Sequence, residues 1–159
     1  MADAPELNED FVDVIRALLD EDVEFLVVGA HALAVHGVVR STGDLDILVR
    51  PAPSNAARVA KALLAFGAPL AAHGVETNDF AEAGTVYQLG LPPNRIDILT
   101  QLSGVDYEEA SANSLAASVS GLEFRVPSRA ALLQNKRATG RAKDLEDVRR
   151  LEEARSDHE

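Results

Sequence analysis

The alternation of apolar and polar positions divides the chain into short helices and strands. Phe11, Val14, Ile15, Leu18 and Leu19 recur at helical spacing, so Asn8 to Asp20 reads as an amphipathic helix with Asn8 as N-cap. Phe25-Leu26-Val27-Val28 is a continuous apolar run ended by Gly29, the pattern of a buried strand over Glu24 to Gly29. Ala30 to His36 follows as a short helix. Beyond a polar turn from Val38, residues Asp44 to Arg50 alternate and predict a second strand, stopped by Pro51 and Pro53. Ser54 is the expected cap of a helix running to Phe66, closed by Gly67. No pattern assigns the stretch from Ala68 to Ala83.

The second half continues in the same manner. Thr85 to Leu91 and Arg95 to Thr100 read as partner strands joined by a Pro92-Pro93-Asn94 turn. Asp106 to Ala112 predicts a short helix, and Leu122 to Val126 a strand. Pro127-Ser128 opens a helix to Ala138. Gly140 separates it from a last helix, Lys143 to Ala154, with Leu145, Val148 and Leu151 as its stripe and Arg155 to Glu159 as a frayed tail. Helices packed on a mixed sheet place the chain in the α/β (α+β) class. A length of 159 residues fits one domain, 1–159, with 128–155 as a C-terminal helical pair packed on it.

Composition narrows the choices. Only 4% of residues are aromatic, so a core must rest on Leu, Val, Ile and Ala. The absence of Cys removes disulfides, thiolate metal sites and thiol nucleophiles, and fits a reducing, cytoplasmic setting. No basic–apolar leader opens the sequence, and no apolar stretch reaches the roughly 20 residues that span a bilayer. The net charge of −11 argues against extensive binding of duplex nucleic acid. The basic residues nevertheless concentrate between Arg125 and Arg150, where they could meet a polyphosphate.

Three carboxylates carry the candidate chemistry. Successive strand side chains point to opposite faces, so Asp44 and Asp46 share one face while Leu45, Ile47 and Val49 take the other. Two like charges side by side make poor core, and a divalent cation would resolve their repulsion. Arg95-Ile96-Asp97-Ile98 repeats the pattern. If its strand lies beside that of Asp44, three carboxylates converge as two-metal phosphoryl or nucleotidyl transfer requires. Asp44 and Asp46 would then bind metal, and Asp97 would bind the metal near the nucleophile and accept its proton. Gly29, at a strand-to-helix junction, leaves room for a phosphate near unpaired backbone N–H groups. Arg40, Ser41 and Thr42 stand ready to add phosphate contacts, and His31 lies just beyond Gly29. His31 and His36, five apart, do not share a helix face and make no metal pair.

The order strand, Gly29, short helix from Ala30, Asp44-Leu45-Asp46 and later Asp97 resembles the nucleotidyltransferase superfamily with the polymerase-beta-like fold. The run from His31 to Asp46 is similar to minimal bacterial nucleotidyltransferases grouped with AbiEii-type toxins. So is the segment Lys136-Arg137-Ala138-Thr139-Gly140-Arg141-Ala142-Lys143-Asp144-Leu145-Glu146-Asp147, and the likeness spans about Val27 to Leu151. The resemblance implies a nucleotidyltransferase fold, a nucleoside triphosphate as substrate and two magnesium ions. It also implies that Lys136 and Lys143 neutralise triphosphate charge, while Asp144 and Asp147 orient Lys143 or Arg40. A toxin-like role would bring an antitoxin-like partner protein. Position 30 is Ala where the family has a second Gly or Ser, so a hydroxyl contact to phosphate is lost and backbone N–H contacts remain. The expectation is therefore transfer of a nucleoside monophosphate to an acceptor hydroxyl on a small molecule, a protein or an RNA end. The alternative is a nucleotide- or partner-binding module that keeps the fold without turnover.

Overall fold

The computed structural model describes residues 2–3, 8–40 and 44–158. Its main sheet is mixed, in the order β2-β3-β5-β4. Strand β2 (Phe25–Val28) is antiparallel to β3 (Leu45–Val49), which is parallel to β5 (Ile96–Leu99), which is antiparallel to β4 (Val86–Leu89). Helix α1 (Glu9–Asp20) precedes β2, α2 (Gly29–Val35) joins β2 to β3, and α3 (Pro53–Phe66) follows β3. A second sheet has the order β1 (Ala2–Asp3), β6 (Leu115–Val119), β7 (Leu122–Val126), of which β6 and β7 follow the short helix α4 (Tyr107–Ser111) along the chain. Helices α5 (Arg129–Thr139) and α6 (Ala142–His158) close the fold. The mixed α and β architecture is as the sequence pattern predicts. No helix among the described residues is long and apolar enough to cross a membrane.

Period explains which face of each strand is buried. Leu45, Ile47 and Val49 join Val27, Ile96 and Ile98 against α1 and α3, where Ile15, Leu18, Val59 and Leu63 are fully enclosed. Each such Leu, Ile or Val contributes about 1.5–3 kcal/mol by leaving water. On the opposite face, Leu26, Val28 and Leu48 pack with Val105, Ala110 and Ala131 under α4 and α5. Asp46 and Asp97 stand beyond that second cluster, near the N-terminal ends of β3 and β5. Asn55, fully buried at the start of α3, binds the end of β2 to the end of β3. It accepts from Glu24 N at 2.7 Å and donates to Glu24 O and Arg50 O at 3.0 Å each.

Several predicted boundaries shift. Helix α3 is capped by Ala52 with Pro53 in its first turn, not by Ser54, because proline has no N–H to lose there. The unassigned stretch after α3 holds a 3-10 turn, Thr77–Ala81, fixed by a reciprocal Glu76–Asp79 capping box. Strand β6, which the hydrophobic pattern misses, forms a hairpin with β7 through Ser120 and Gly121, both at positive φ. The last helix runs from Ala142 to His158, further than its apolar stripe indicates.

Candidate active site

The register of the central strands assembles the carboxylates. Asp46 pairs directly with Asp97 across the parallel β3–β5 ladder, and Asp44 lies one pleat earlier on the same face. Asp97 is buried and Asp46 half-buried. Burial, then the charge of Asp97 and a hydrogen bond with it, then the charge of Asp44, push Asp46 up to about 6, against the opposing pull of Arg95. Gly29 is held at φ +67°, and a Cβ there would lie 2.3 Å from Asp46 Oδ2. The room that glycine leaves is thus taken by the carboxylate of Asp46. This differs from the expectation of a gap reserved for phosphate.

Arg95, which no sequence pattern marks as a site residue, sits among these groups. Its Nε donates to Asp97 Oδ1 at 2.8 Å and its Nη2 to Asp97 Oδ2 at 3.3 Å. The same Nη2 lies 3.3 Å from Asp44 Oδ2, and the Arg95 backbone N–H donates to Asp44 Oδ1 at 3.3 Å. Among the described residues, no group of three His, Asp or Glu side chains is disposed to hold a metal ion as it stands. In kind, though not in its present arrangement, the donor set suits a hard divalent cation. It consists of carboxylate oxygens on one face, crowded enough to raise a pKa and already drawing a cationic side chain into their midst.

The carboxylates share a cleft of about 290 Å³ with a group of cationic side chains, which forms its basic wall, and with Gly29 and Ala30. Arg40, Lys136, Arg141 and Lys143 line it. Two buried acids on α6 hold most of this wall in place. Asp147 accepts from Arg40 Nη1 at 2.7 and 2.9 Å and lies 3.4 Å from Lys136 Nζ. Asp144 accepts from Arg141 Nε at 2.6 Å, Thr139 Oγ1 at 2.7 Å and Lys136 Nζ at 3.3 Å. Burial pushes Asp144 upward, but those hydrogen bonds and the Lys136 charge outweigh it and hold the carboxyl at about 2. Asp147 therefore holds Arg40 in place. Asp144 orients Lys136 and Arg141 in place of Lys143. The fixed turn is set by Gly140 in the left-handed conformation between α5 and α6.

Other predicted residues fall differently. Ser41 and Thr42 lie outside the described residues. His31 is buried, edge-on to Phe11 at 5.9 Å, and does not line the cleft. Burial lowers its pKa, against the opposing effect of a hydrogen bond with the Asp44 backbone. His36 binds Pro127 O at 2.8 Å and has no place at the site. A second lobe of about 220 Å³ continues the cleft past Gly29 and Lys136 to Gln101, Ser103 and Asn135. A roomier hollow of about 500 Å³ over Arg50 and Tyr107 has Glu24, paired with Arg50, and Glu123 as its acids. Its two acids are matched by Arg50 and Arg125, and it holds no carboxylate cluster like that of Asp44, Asp46 and Asp97.

Comparison with models of known protein families gives no match, and comparison with curated proteins gives none either.

Proposed function

We propose that this protein is a metal-dependent nucleotidyltransferase of the polymerase-beta-like kind, moving a nucleoside monophosphate from a nucleoside triphosphate to an acceptor hydroxyl. The observation that carries the reading is the pairing of Asp46 with Asp97, beside Asp44, in one cleft with Arg40, Lys136, Arg141 and Lys143. Such a cleft suits a ligand with a strongly anionic part and a reacting centre between the walls. Asp44, Asp46 and Asp97 would hold magnesium, two ions in this reading, which supplies charge neutralisation on the phosphates and a more acidic acceptor hydroxyl.

The chain's own residues divide the remaining work. Lys136 and Arg40, with Arg141 and Lys143, bind and orient the polyphosphate. Asp97 takes the proton of the acceptor hydroxyl as its oxygen bonds to the α-phosphorus, while the bond from that phosphorus to pyrophosphate breaks. Ala30 offers backbone in place of a hydroxyl. The acceptor is a small molecule, a protein side chain or an RNA end, the last of these giving a toxin-like protein with an antitoxin-like partner. The net charge of −11 speaks against a long duplex. The cytoplasm is the compartment in this reading.

A second reading, nucleotide binding without turnover, is favoured by one observation: Arg95 already engages Asp44 and Asp97. Calorimetric titration of ATP, GTP, CTP and UTP, with and without magnesium, tests the first claim on wild type and on Asp44→Asn/Asp46→Asn. Magnesium-dependent binding lost in the double variant is expected. Absence of binding by folded wild type would reject both readings. Binding without pyrophosphate release in the presence of candidate acceptors would favour the second.

A further inference from the structure

The guanidinium of Arg95 does what a bound cation would do. It reaches both oxygens of Asp97 and one of Asp44, with distances from 2.8 to 3.3 Å. Those are the oxygens that a divalent ion would need, so the two cannot both be satisfied. Arg95 is also free to leave. Its side chain is 29% exposed and lines the cleft, and no part of the apolar core rests on it. Once displaced, it would share the cleft with Arg40, Lys136, Arg141 and Lys143, four cations beside which an incoming anion gives it a new partner. A guanidinium fork suits phosphate as well as carboxylate.

We propose that Arg95 is a displaceable counter-cation, which balances Asp44 and Asp97 without metal and moves onto the polyphosphate when a divalent ion takes its place. The first half rests on the carboxylates alone, and the second on the nucleotide-site reading. Arg95 is then a positioning residue that makes metal loading depend on nucleotide. The metal alone must evict a paired cation, whereas metal arriving with polyphosphate provides that cation with a new partner. Binding of either is linked to the other, and linkage is reciprocal.

The test uses Mn2+ as a paramagnetic probe, followed by its free-ion resonance, with wild type, Arg95→Gln and Arg95→Lys. Thermal melting checks that each variant folds. Arg95→Gln is expected to bind Mn2+ alone about tenfold more tightly than wild type, a typical scale for a coupling between sites. With saturating Mn2+, the same variant is expected to bind a non-hydrolysable nucleoside triphosphate severalfold more weakly. Arg95→Lys, which keeps the charge but loses the fork, should fall between. A residue of merely structural importance would weaken both ligands together, and that outcome, or unchanged Mn2+ affinity, overturns the proposal. If Arg95→Gln gains Mn2+ affinity while no protein binds nucleotide, the counter-cation role stands and the nucleotidyltransferase reading falls.

Discussion

Asp46 lies against Gly29, so closely that any side chain at position 29 would meet its Oδ2 at 2.3 Å. The contact joins the end of β2 to β3, where Val28 and Asp46 are paired, and sets where the carboxylate can point. Gly29→Ala combines this collision with a Cβ at φ +67°. Backbone strain of that kind costs on the order of 1–3 kcal/mol by itself. The variant is expected to lose at least about 2 kcal/mol in urea denaturation. The same change made in an Asp46→Ala background should cost less, because the collision is gone and only the strain remains. Strict additivity of the two changes would show that the contact is not felt.

The raised pKa of Asp46 has a definite sign. The folded protein keeps a proton on Asp46 up to about pH 6, while the unfolded chain releases it near 3.8. Between those values the folded state holds more protons, so this group's contribution to stability falls as pH rises. The loss is complete above pH 6 and amounts to on the order of 2–3 kcal/mol. Asp46→Asn should therefore raise the melting temperature of the metal-free protein at pH 7.5 and leave it little changed at pH 4. It should also abolish magnesium-dependent transfer. Turnover retained by a folded Asp46→Asn would contradict the metal role.

Local pattern made much of this legible. Asp44-x-Asp46 and Ile96-Asp97-Ile98 each declare a strand with a carboxylate on the less apolar face, and a run such as Phe25 to Val28 declares burial. What joins these pieces is not local. Nothing in the sequence between residues 50 and 95 states that β5 lies beside β3 in the register Asp46 to Asp97. Arg95 escaped notice because its partners are 51 residues away and two residues away, and neither spacing marks a site. Strand β6 was hidden by its small residues, Ala116, Ala117 and Ser118, although the Ser120-Gly121 pair was a hairpin signal. His31 looked like a cleft residue because it follows Gly29. The helical turn carries it to the core side instead, and a period of 3.6 residues per turn gave no warning over seven residues.

Asp147 is the hinge between the loop before β3 and the C-terminal helices. It is almost wholly enclosed, and it binds Arg40 and Lys136, which come from different parts of the chain. Removing one partner of a buried ion pair leaves the others uncompensated, at a cost of about 3–5 kcal/mol. Asp147→Ala is expected to approach that cost, reduced somewhat because Arg40 is partly exposed. Asp147→Asn should be milder. It retains hydrogen bonding to Arg40 but not the charge, so triphosphate affinity should drop more than stability does. A variant equal to wild type in both melting and binding would remove Asp147 from the framework.

Asp144 behaves oppositely to Asp46. Its carboxyl is held at about 2, below the unfolded value of 3.8, so its stabilising contribution is present above pH 4 and is lost as pH falls toward 2. Melting curves between pH 2 and pH 5 should show this loss in wild type and a flatter profile in Asp144→Asn. An equally steep acid limb in the variant would assign the loss to other carboxylates.

Lys136 separates phosphate recognition from general charge. Its ammonium group is mostly buried and held by Asp144 at 3.3 Å and Asp147 at 3.4 Å, so it is positioned before any ligand arrives. In the proposed reading, Lys136 would meet the outer phosphates of a triphosphate and not the single phosphate of a monophosphate. Lys136→Ala is expected to weaken triphosphate binding by about 1.5–3 kcal/mol, the range for a charge-assisted contact, and monophosphate binding by much less. Lys136→Arg should recover part of the loss. Because removing Lys136 also leaves Asp144 and Asp147 with fewer partners, melting must be followed in parallel, and triphosphate affinity is compared only under conditions where both proteins are folded. Equal weakening of tri- and monophosphate would take Lys136 off the outer phosphates. The cationic wall would then act through its summed charge, without assigning particular side chains to particular phosphates.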